Sequence, residues 1–286
     1  MKKWIDGARP RTLPAAIAPV LVGTSLIGRT NTALNWLNAL LALLVSLLLQ
    51  IGVNYANDYS DGIRGTDEVR VGPIRLTASG LATPLAVRNA AFLTFFLAAV
   101  CGGVLALRTS LVLIIVGAIA ILAAWGYTGT SKPYGYMGFG EISVFIFFGV
   151  VATMGSYFAQ SEVVSARALL VSIPMGALSC AILSINNLRD RPKDAEVGKK
   201  TVAVRLGDRR ARILFLGLLI LAHLASIAAL FISPWVLLTL LPLPLTFNIA
   251  KSVLRGAVGL DLIPLLGKTG RLQMLFALLL TLAFII

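Results

Sequence analysis

The chain contains eight stretches without Asp, Glu, Lys or Arg: 12–28, 30–57, 89–107, 109–131, 142–161, 168–188, 213–250 and 272–286. In a lipid core every backbone N–H and C=O must be satisfied internally, so only helices and closed barrels can span it. A helix needs about 20 largely apolar residues to cross a hydrocarbon core of about 30 Å. The 38 residues of 213–250 amount to roughly 57 Å of helix at about 1.5 Å per residue, and Ser233-Pro234 supplies a turn inside them. The count is therefore nine spans. The last is short unless Leu262–Gly267 contributes. The first is also short, but Pro14, Pro19 and the lack of a small-residue cleavage pattern argue against a signal peptide. Only 13% of the residues are charged, against about 25% in soluble domains, which excludes a soluble globule. The expectation is an all-α polytopic membrane protein, one domain over 1–286, with no soluble appendage.

Basic residues of the loops set the orientation. With nine spans, 22 of the 25 Lys and Arg fall at one set of helix ends, and only Arg29, Arg108 and Arg167 at the other. That split puts the N-terminus in the cytoplasm and the C-terminus outside. The net charge of +13 thus reads as topology in a lipid bilayer rather than as a nucleic-acid footprint. Eleven of the twelve acids gather on the basic side too, Glu162 being the exception. The positive-inside rule is nearly indifferent to acids, so their gathering asks for another cause. Cys101 and Cys180 lie inside spans and read as packing residues, and a lone histidine, His223, excludes a His-rich metal site.

That cause is visible at the ends of the second and sixth spans. The first cluster reads Asn54-Tyr-Ala-Asn57-Asp58-Tyr-Ser-Asp61. At about 100° per residue, Asn54, Asn57, Asp58 and Asp61 share an arc of about 100° on one helical face. The second cluster reads Asn186-Asn187-Leu-Arg189-Asp190-Arg-Pro-Lys-Asp194. Asn186, Asn187, Asp190 and Asp194 share a similar arc if the helix continues; Pro192 removes a helical hydrogen bond, so Asp194 belongs either to that face or to a turn after it. One such face alone could be a solvated terminus. Two at equivalent ends, each followed by Arg and Lys, read as a clamp for a hard divalent cation and a diphosphate. Mg²⁺ takes carboxylate and water oxygens and reaches substrates through phosphates, and Arg takes phosphate in bidentate fashion. At a membrane boundary such a clamp implies a substrate with an anionic head and a lipid tail. The Gly-rich segment 126–140 reads as a substrate-facing loop because it carries Lys132, Tyr127, Tyr134 and Tyr136. Gly198-Lys-Lys-Thr201 is not a P-loop, since position 193 is Lys.

At this point the residues resemble a known family. The paired Asp motifs are similar to those of the UbiA superfamily of intramembrane aromatic prenyltransferases. RPRTLPAAIAPVLVG from Arg9, NYANDYSDGIRGTD from Asn54, VGPIRLTASGLAT from Val71, YTGTSKPYGYMGFGE from Tyr127 and NNLRDRPKDAEVGKKTVAVRLG from Asn186 resemble its menaquinone branch, the 1,4-dihydroxy-2-naphthoate polyprenyltransferases. The resemblance implies nine helices ringed around a central cavity with a lateral opening to lipid. It implies an enzyme of the bacterial inner or plasma membrane that transfers a polyprenyl chain from polyprenyl diphosphate to 1,4-dihydroxy-2-naphthoate, which loses its carboxylate to give demethylmenaquinone. The implied catalytic and metal residues are Asp58, Asp61, Asp190 and Asp194, holding Mg²⁺ with Asn54 and Asn187. Arg75, Lys132, Arg189 and Lys199 would neutralise the leaving diphosphate, and Tyr127 would order the site or face the carbocation. The acceptor carboxylate would meet a base at the cytoplasmic end, such as Arg11 or Lys132. Asn57, Asp67 and Glu141 resemble motif positions too, where capping or loop ordering fits equally well. Pro192 is the departure from the pattern.

The alternatives are another acceptor (4-hydroxybenzoate, homogentisate or haem), against which the GPIRLTASG and YTGTSKPYGY segments speak, or a transporter. Transporters place ionisable residues near the bilayer midplane, in broken helices or inverted repeats. Here they sit at span ends, and no repeat is visible.

Overall fold

A computed structural model of the chain describes residues 2–65 and 75–286. Among these residues every regular element is helical. The segments are α1 (Lys2–Gly7), α2 (Pro14–Ser25), α3 (Trp36–Ile63), α4 (Pro84–Arg108), α5 (Val112–Gly126), α6 (Gly140–Val144), α7 (Ala152–Ser161), α8 (Ala166–Glu196), α9 (Val202–Ala228), α10 (Leu243–Leu254) and α11 (Leu262–Ile285). A π-helical segment, Phe145–Val151, joins α6 to α7 without a break.

The nine expected spans resolve unevenly among the described residues. Six helices are long and apolar enough to cross a membrane, and two bent pairs bring the number to eight. The first pair joins Lys2–Thr12 to Pro14–Arg29 at 57°, and the second joins Pro234–Leu240 to Leu243–Leu254 at 40°. The remaining stretch forms α5, whose 15 residues make about 22 Å of helix, short of a full crossing. Composition marks where the chain is apolar, but turns at both ends shorten what becomes helix. Ser233 does make the expected break, its Oγ accepting the Trp235 N–H at the start of the following 3₁₀ segment. Leu262–Gly267 does join the last helix.

Pro192 leaves α8 intact. The helix runs 31 residues through Pro174 and Pro192 to Glu196, so Asp194 stays on the helical face rather than in a following turn. Beyond the proline the C-terminus is closed by Val197 N–H to Lys193 O (3.1 Å) and Lys199 N–H to Asp194 O (2.8 Å).

Lipid tails are as apolar as leucine, so close backbone approach and interhelical hydrogen bonds hold such helices together. A Cβ on Gly149 would lie 2.5 Å from the Gly176 Cα, and one on Gly23 2.1 Å from the Thr153 carbonyl oxygen. Gln273 Nε2 donates to Ser179 Oγ (2.8 Å), and Asn38 Nδ2 to the Ala159 carbonyl (2.8 Å). Cys180 is buried and Cys101 half-buried, both as free thiols. The main core joins α2, α8, α9 and α11 through Val22, Leu178, Phe215 and Phe276. Helix α8 is its axis, most of its apolar length buried where α3 leaves most of its own uncovered. A second cluster packs α3 on α4 through Tyr55, Val87 and Phe95. Together these place the C-terminal ends of α3 and α8, with both Asn/Asp clusters, on one cavity.

Candidate functional site

The cavity has a volume of about 540 Å³. One end is polar, lined by Asn54, Asp61, Arg75, Asn187, Asp190 and Asp194 among others, and the rest is apolar, reaching Ala42, Leu105 and Leu113. From Asp61 back to Ala42 along α3 is about 28 Å at about 1.5 Å per residue. On one side stands α5, which packs against α3 and α4. The π-helical segment also lines it, through Phe147, Phe148 and Val151.

The first cluster divides by helical angle. Asn54, Asn57 and Asp61 line the cavity. Asn54 Nδ2 donates to Ala8 O (2.8 Å) and Thr12 Oγ1 (3.1 Å), tying α3 to the bend between α1 and α2. Asn57 Oδ1 accepts from Thr128 Oγ1 (2.7 Å), tying α3 to the segment after α5. Asp58 lies at the edge of the arc, wholly buried, and turns away. Its Oδ2 accepts the Leu76 N–H (2.8 Å) and its Oδ1 the Thr77 N–H (2.9 Å). Arg75 directly precedes this held pair and reaches Asp61 at 3.4 Å.

All four residues of the second cluster line the cavity. Asn187 Nδ2 donates to Glu141 Oε1 (2.9 Å). Asp190 takes a bidentate pair from Arg189, Nε and Nη2 each at 2.7 Å. Lys199 connects the clusters, its Nζ 2.7 Å from Asp61 Oδ1 and 3.9 Å from Asp194 Oδ1.

The Gly-rich segment does face the cavity, through Tyr127, Thr128, Tyr134 and Tyr136. Tyr136 Oη donates to Asp61, while Lys199 Nζ (4.4 Å from the ring centroid) and the Arg64 guanidinium (5.3 Å) both lie against its ring. Burial pushes the Tyr136 phenol up, and the Asp61 charge adds to that. Burial likewise raises Tyr127, with Glu141 adding. Both phenols therefore stay neutral at working pH.

Two assigned bases lie elsewhere. Arg11 and Lys132 are exposed, and neither lines the cavity. Arg9 takes the left-handed conformation (φ 53°) before the 3₁₀ turn Pro10–Thr12; Arg9, not Arg11, lines the cavity, its Nη2 3.4 Å from the Asn54 carbonyl. Arg189 is buried but directed at Asp190. Asp67 and residues 71–74 of the Val71 motif lie outside the described residues. Arg9 opens one motif and Tyr136 belongs to the Gly-rich loop, but neither was given a role of its own, and Gln50 was passed over. Gln50 lies one turn before Asn54 and donates to its Oδ1 (3.2 Å), so a search for amides as well as charges on that face finds it.

The donor set suits a hard cation. Among the described residues no three His, Cys, Asp or Glu side chains converge into a metal site, but Mg²⁺ is commonly held by one or two carboxylates with substrate phosphates. Asp61 and Asp194 flank an ammonium and offer that arrangement.

Fold and cavity together define a multi-pass membrane protein with a chamber for an amphiphilic molecule. The sequence matches the UbiA prenyltransferase family over residues 16–259. It is 51% identical to a 1,4-dihydroxy-2-naphthoate octaprenyltransferase of Mycobacterium tuberculosis, over 96% of this chain and 94% of that one. It is 38% identical to the enzyme of the same name from Escherichia coli, over 93% and 89%. A UbiA homolog from Archaeoglobus fulgidus bound to DMAPP and Mg²⁺ superposes with a TM-score of 0.69 at 16% identity, covering 99% of each chain. An apo UbiA homolog from Aeropyrum pernix K1 gives 0.70 at 14% identity, over 93% and 96%. The chain belongs to the UbiA prenyltransferase family.

Proposed function

We propose that the whole chain is one intramembrane prenyltransferase domain that moves a polyprenyl group from its diphosphate to 1,4-dihydroxy-2-naphthoate, with loss of the carboxylate, giving demethylmenaquinone. The observation that carries this reading is the polarity of one cavity, with two Asn/Asp helix ends at its mouth and apolar helices along its length. The acceptor rests on the names of the M. tuberculosis and E. coli relatives, which favour it over 4-hydroxybenzoate or homogentisate. The mouth faces the cytoplasm, because the basic residues gather there.

Asp61 and Asp194 are the inner pair that would hold Mg²⁺, with Asp190, Asn54 and Asn187 around them. The chemistry a bound Mg²⁺ would supply there is to offset the negative charge that grows on the diphosphate as the allylic C–O bond breaks. Arg75, Lys199 and Arg9 line the same mouth and stabilise that charge from the protein side. Asp58 acts from outside the cavity, holding Leu76 and Thr77 so that Arg75 meets Asp61. The apolar wall keeps water from the allylic cation until the electron-rich naphthoate ring attacks it. Neutral Tyr127 offers that cation its ring face.

The test is turnover by detergent-purified protein given labelled polyprenyl diphosphate and naphthoate. Covalent product that disappears with EDTA and returns with Mg²⁺ supports the reading. No product with any of the three aromatic acids would overturn it.

A further inference from the structure

Among the described residues a lysine touches both clusters. Lys199 Nζ stands 2.7 Å from Asp61 on α3 and 3.9 Å from Asp194 on α8. Its ammonium also lies 4.4 Å from the centre of the Tyr136 ring, and Tyr136 donates to the same Asp61. The backbone fixes where it stands: Lys199 N–H donates to Asp194 O (2.8 Å) and Lys200 N–H to Tyr136 O (2.8 Å). Only about a tenth of the Lys199 side chain is exposed, and the two carboxylates are as buried, at 8% and 11%. Carboxylates brought from two helices into such a place repel, and a positive charge between them removes the repulsion. An ammonium on a flexible four-carbon stem is a compact point charge that can be withdrawn, unlike a planar guanidinium fork.

Building on the metal–diphosphate reading above, we propose that Lys199 is the internal counter-cation of the unloaded site. It is a positioning residue that keeps Asp61 and Asp194 together across the mouth and competes with the divalent ion for them. Withdrawn from the carboxylates, the same ammonium is free to meet the diphosphate. A lysine that only binds diphosphate has no reason to touch both aspartates; one that only packs the turn has no reason to oppose a metal.

The consequence has an unusual sign. Lys199→Met should bind divalent metal more tightly than the native chain, because the ion no longer displaces a buried ammonium. With a charged hydrogen bond at stake, the gain in Mn²⁺ affinity is about tenfold or more. The experiment titrates Mn²⁺ into detergent-purified protein without substrate, reading free Mn²⁺ by electron paramagnetic resonance, and follows thermal unfolding with and without Mg²⁺. Lys199→Met should melt below the native chain without metal and regain the difference with Mg²⁺. Lys199→Arg, whose guanidinium is withdrawn less readily, should bind Mn²⁺ no more tightly than the native chain, and it carries the metal titration if the Met variant does not fold: an Arg variant that binds Mn²⁺ much more tightly than native overturns the competition. Equal Mn²⁺ affinity in the native chain and the Met variant overturns the proposal while leaving the metal site standing. Failure of both to bind Mn²⁺, even with inorganic pyrophosphate present, instead overturns the metal–diphosphate reading beneath it.

Discussion

Replacing Asp58 with asparagine tests whether this carboxylate works by shape or by ligation. Asp58 holds two N–H groups, one per oxygen, a buried one at Leu76 and a half-buried one at Thr77. The amide keeps one acceptor and turns an NH₂ toward the other donor. A buried donor left unsatisfied costs about 1–3 kcal/mol. If that cost falls on the placement of Arg75, the fraction of molecules with Arg75 at Asp61 drops by about fivefold to a hundredfold, at about 1.4 kcal/mol per decade. The assay is product formation at saturating donor and acceptor across a range of Mg²⁺ concentrations, beside thermal unfolding in detergent. The expected result is a fall in kcat of that size, a lower melting temperature and an unchanged half-saturating Mg²⁺. Asp61→Asn, by contrast, should move the Mg²⁺ dependence itself. An Asp58→Asn protein that melts normally but needs about ten times more Mg²⁺ would mean that Asp58 turns inward and ligates, and the reasoning would be refuted.

Three further outcomes are expected. Tyr136→Phe removes the hydroxyl bonded to Asp61 but keeps the ring beside Lys199 and Arg64; loss of one hydrogen bond to a charged group should lower kcat/KM by about tenfold or more, with Tyr136→Ala lower still. Because burial raises both phenols, each stays protonated past the ordinary tyrosine range, so neither titrates between neutrality and pH 10; kcat/KM profiles of Tyr127→Phe and Tyr136→Phe should keep the native shape, and loss of an alkaline limb in either would contradict this. Gly23→Val puts side-chain atoms where the Thr153 carbonyl stands, 2.1 Å from the new Cβ, and should cut the yield of folded protein in fluorescence-detected size exclusion.

How much was legible depended on whether a residue's role is set by its own helix. Helical spacing put Asn54, Asn57 and Asp61 on one face, and all four residues of the second cluster likewise, because an arc on one helix follows from sequence alone. Spacing did not show that Asp58 turns out of the cavity, since that depends on where Leu76 and Thr77 dock. Arg9 and Arg11 are two residues apart in one basic segment; the left-handed turn at Arg9, not composition, decides which of them enters. Pro192 warned of a break that α8 does not make. A charge count passed over Gln50, a neutral amide, although it bonds the first residue of the cluster. It also took the 109–131 stretch as a full span, whereas α5 is only 15 residues long.

The bridge between α3 and α8 also bears on how the protein is made. Asp58 meets its partners 18 and 19 residues later in the chain, so that bond can close as soon as the next loop is synthesised. Asp61 meets Lys199 only 138 residues later, after α4 to α8 have left the ribosome and entered the bilayer. The first half of the protein is thus inserted with its reactive face incomplete. A nascent chain stopped before residue 199 should stay sensitive to protease at the α3 end, and the full-length chain should be resistant there.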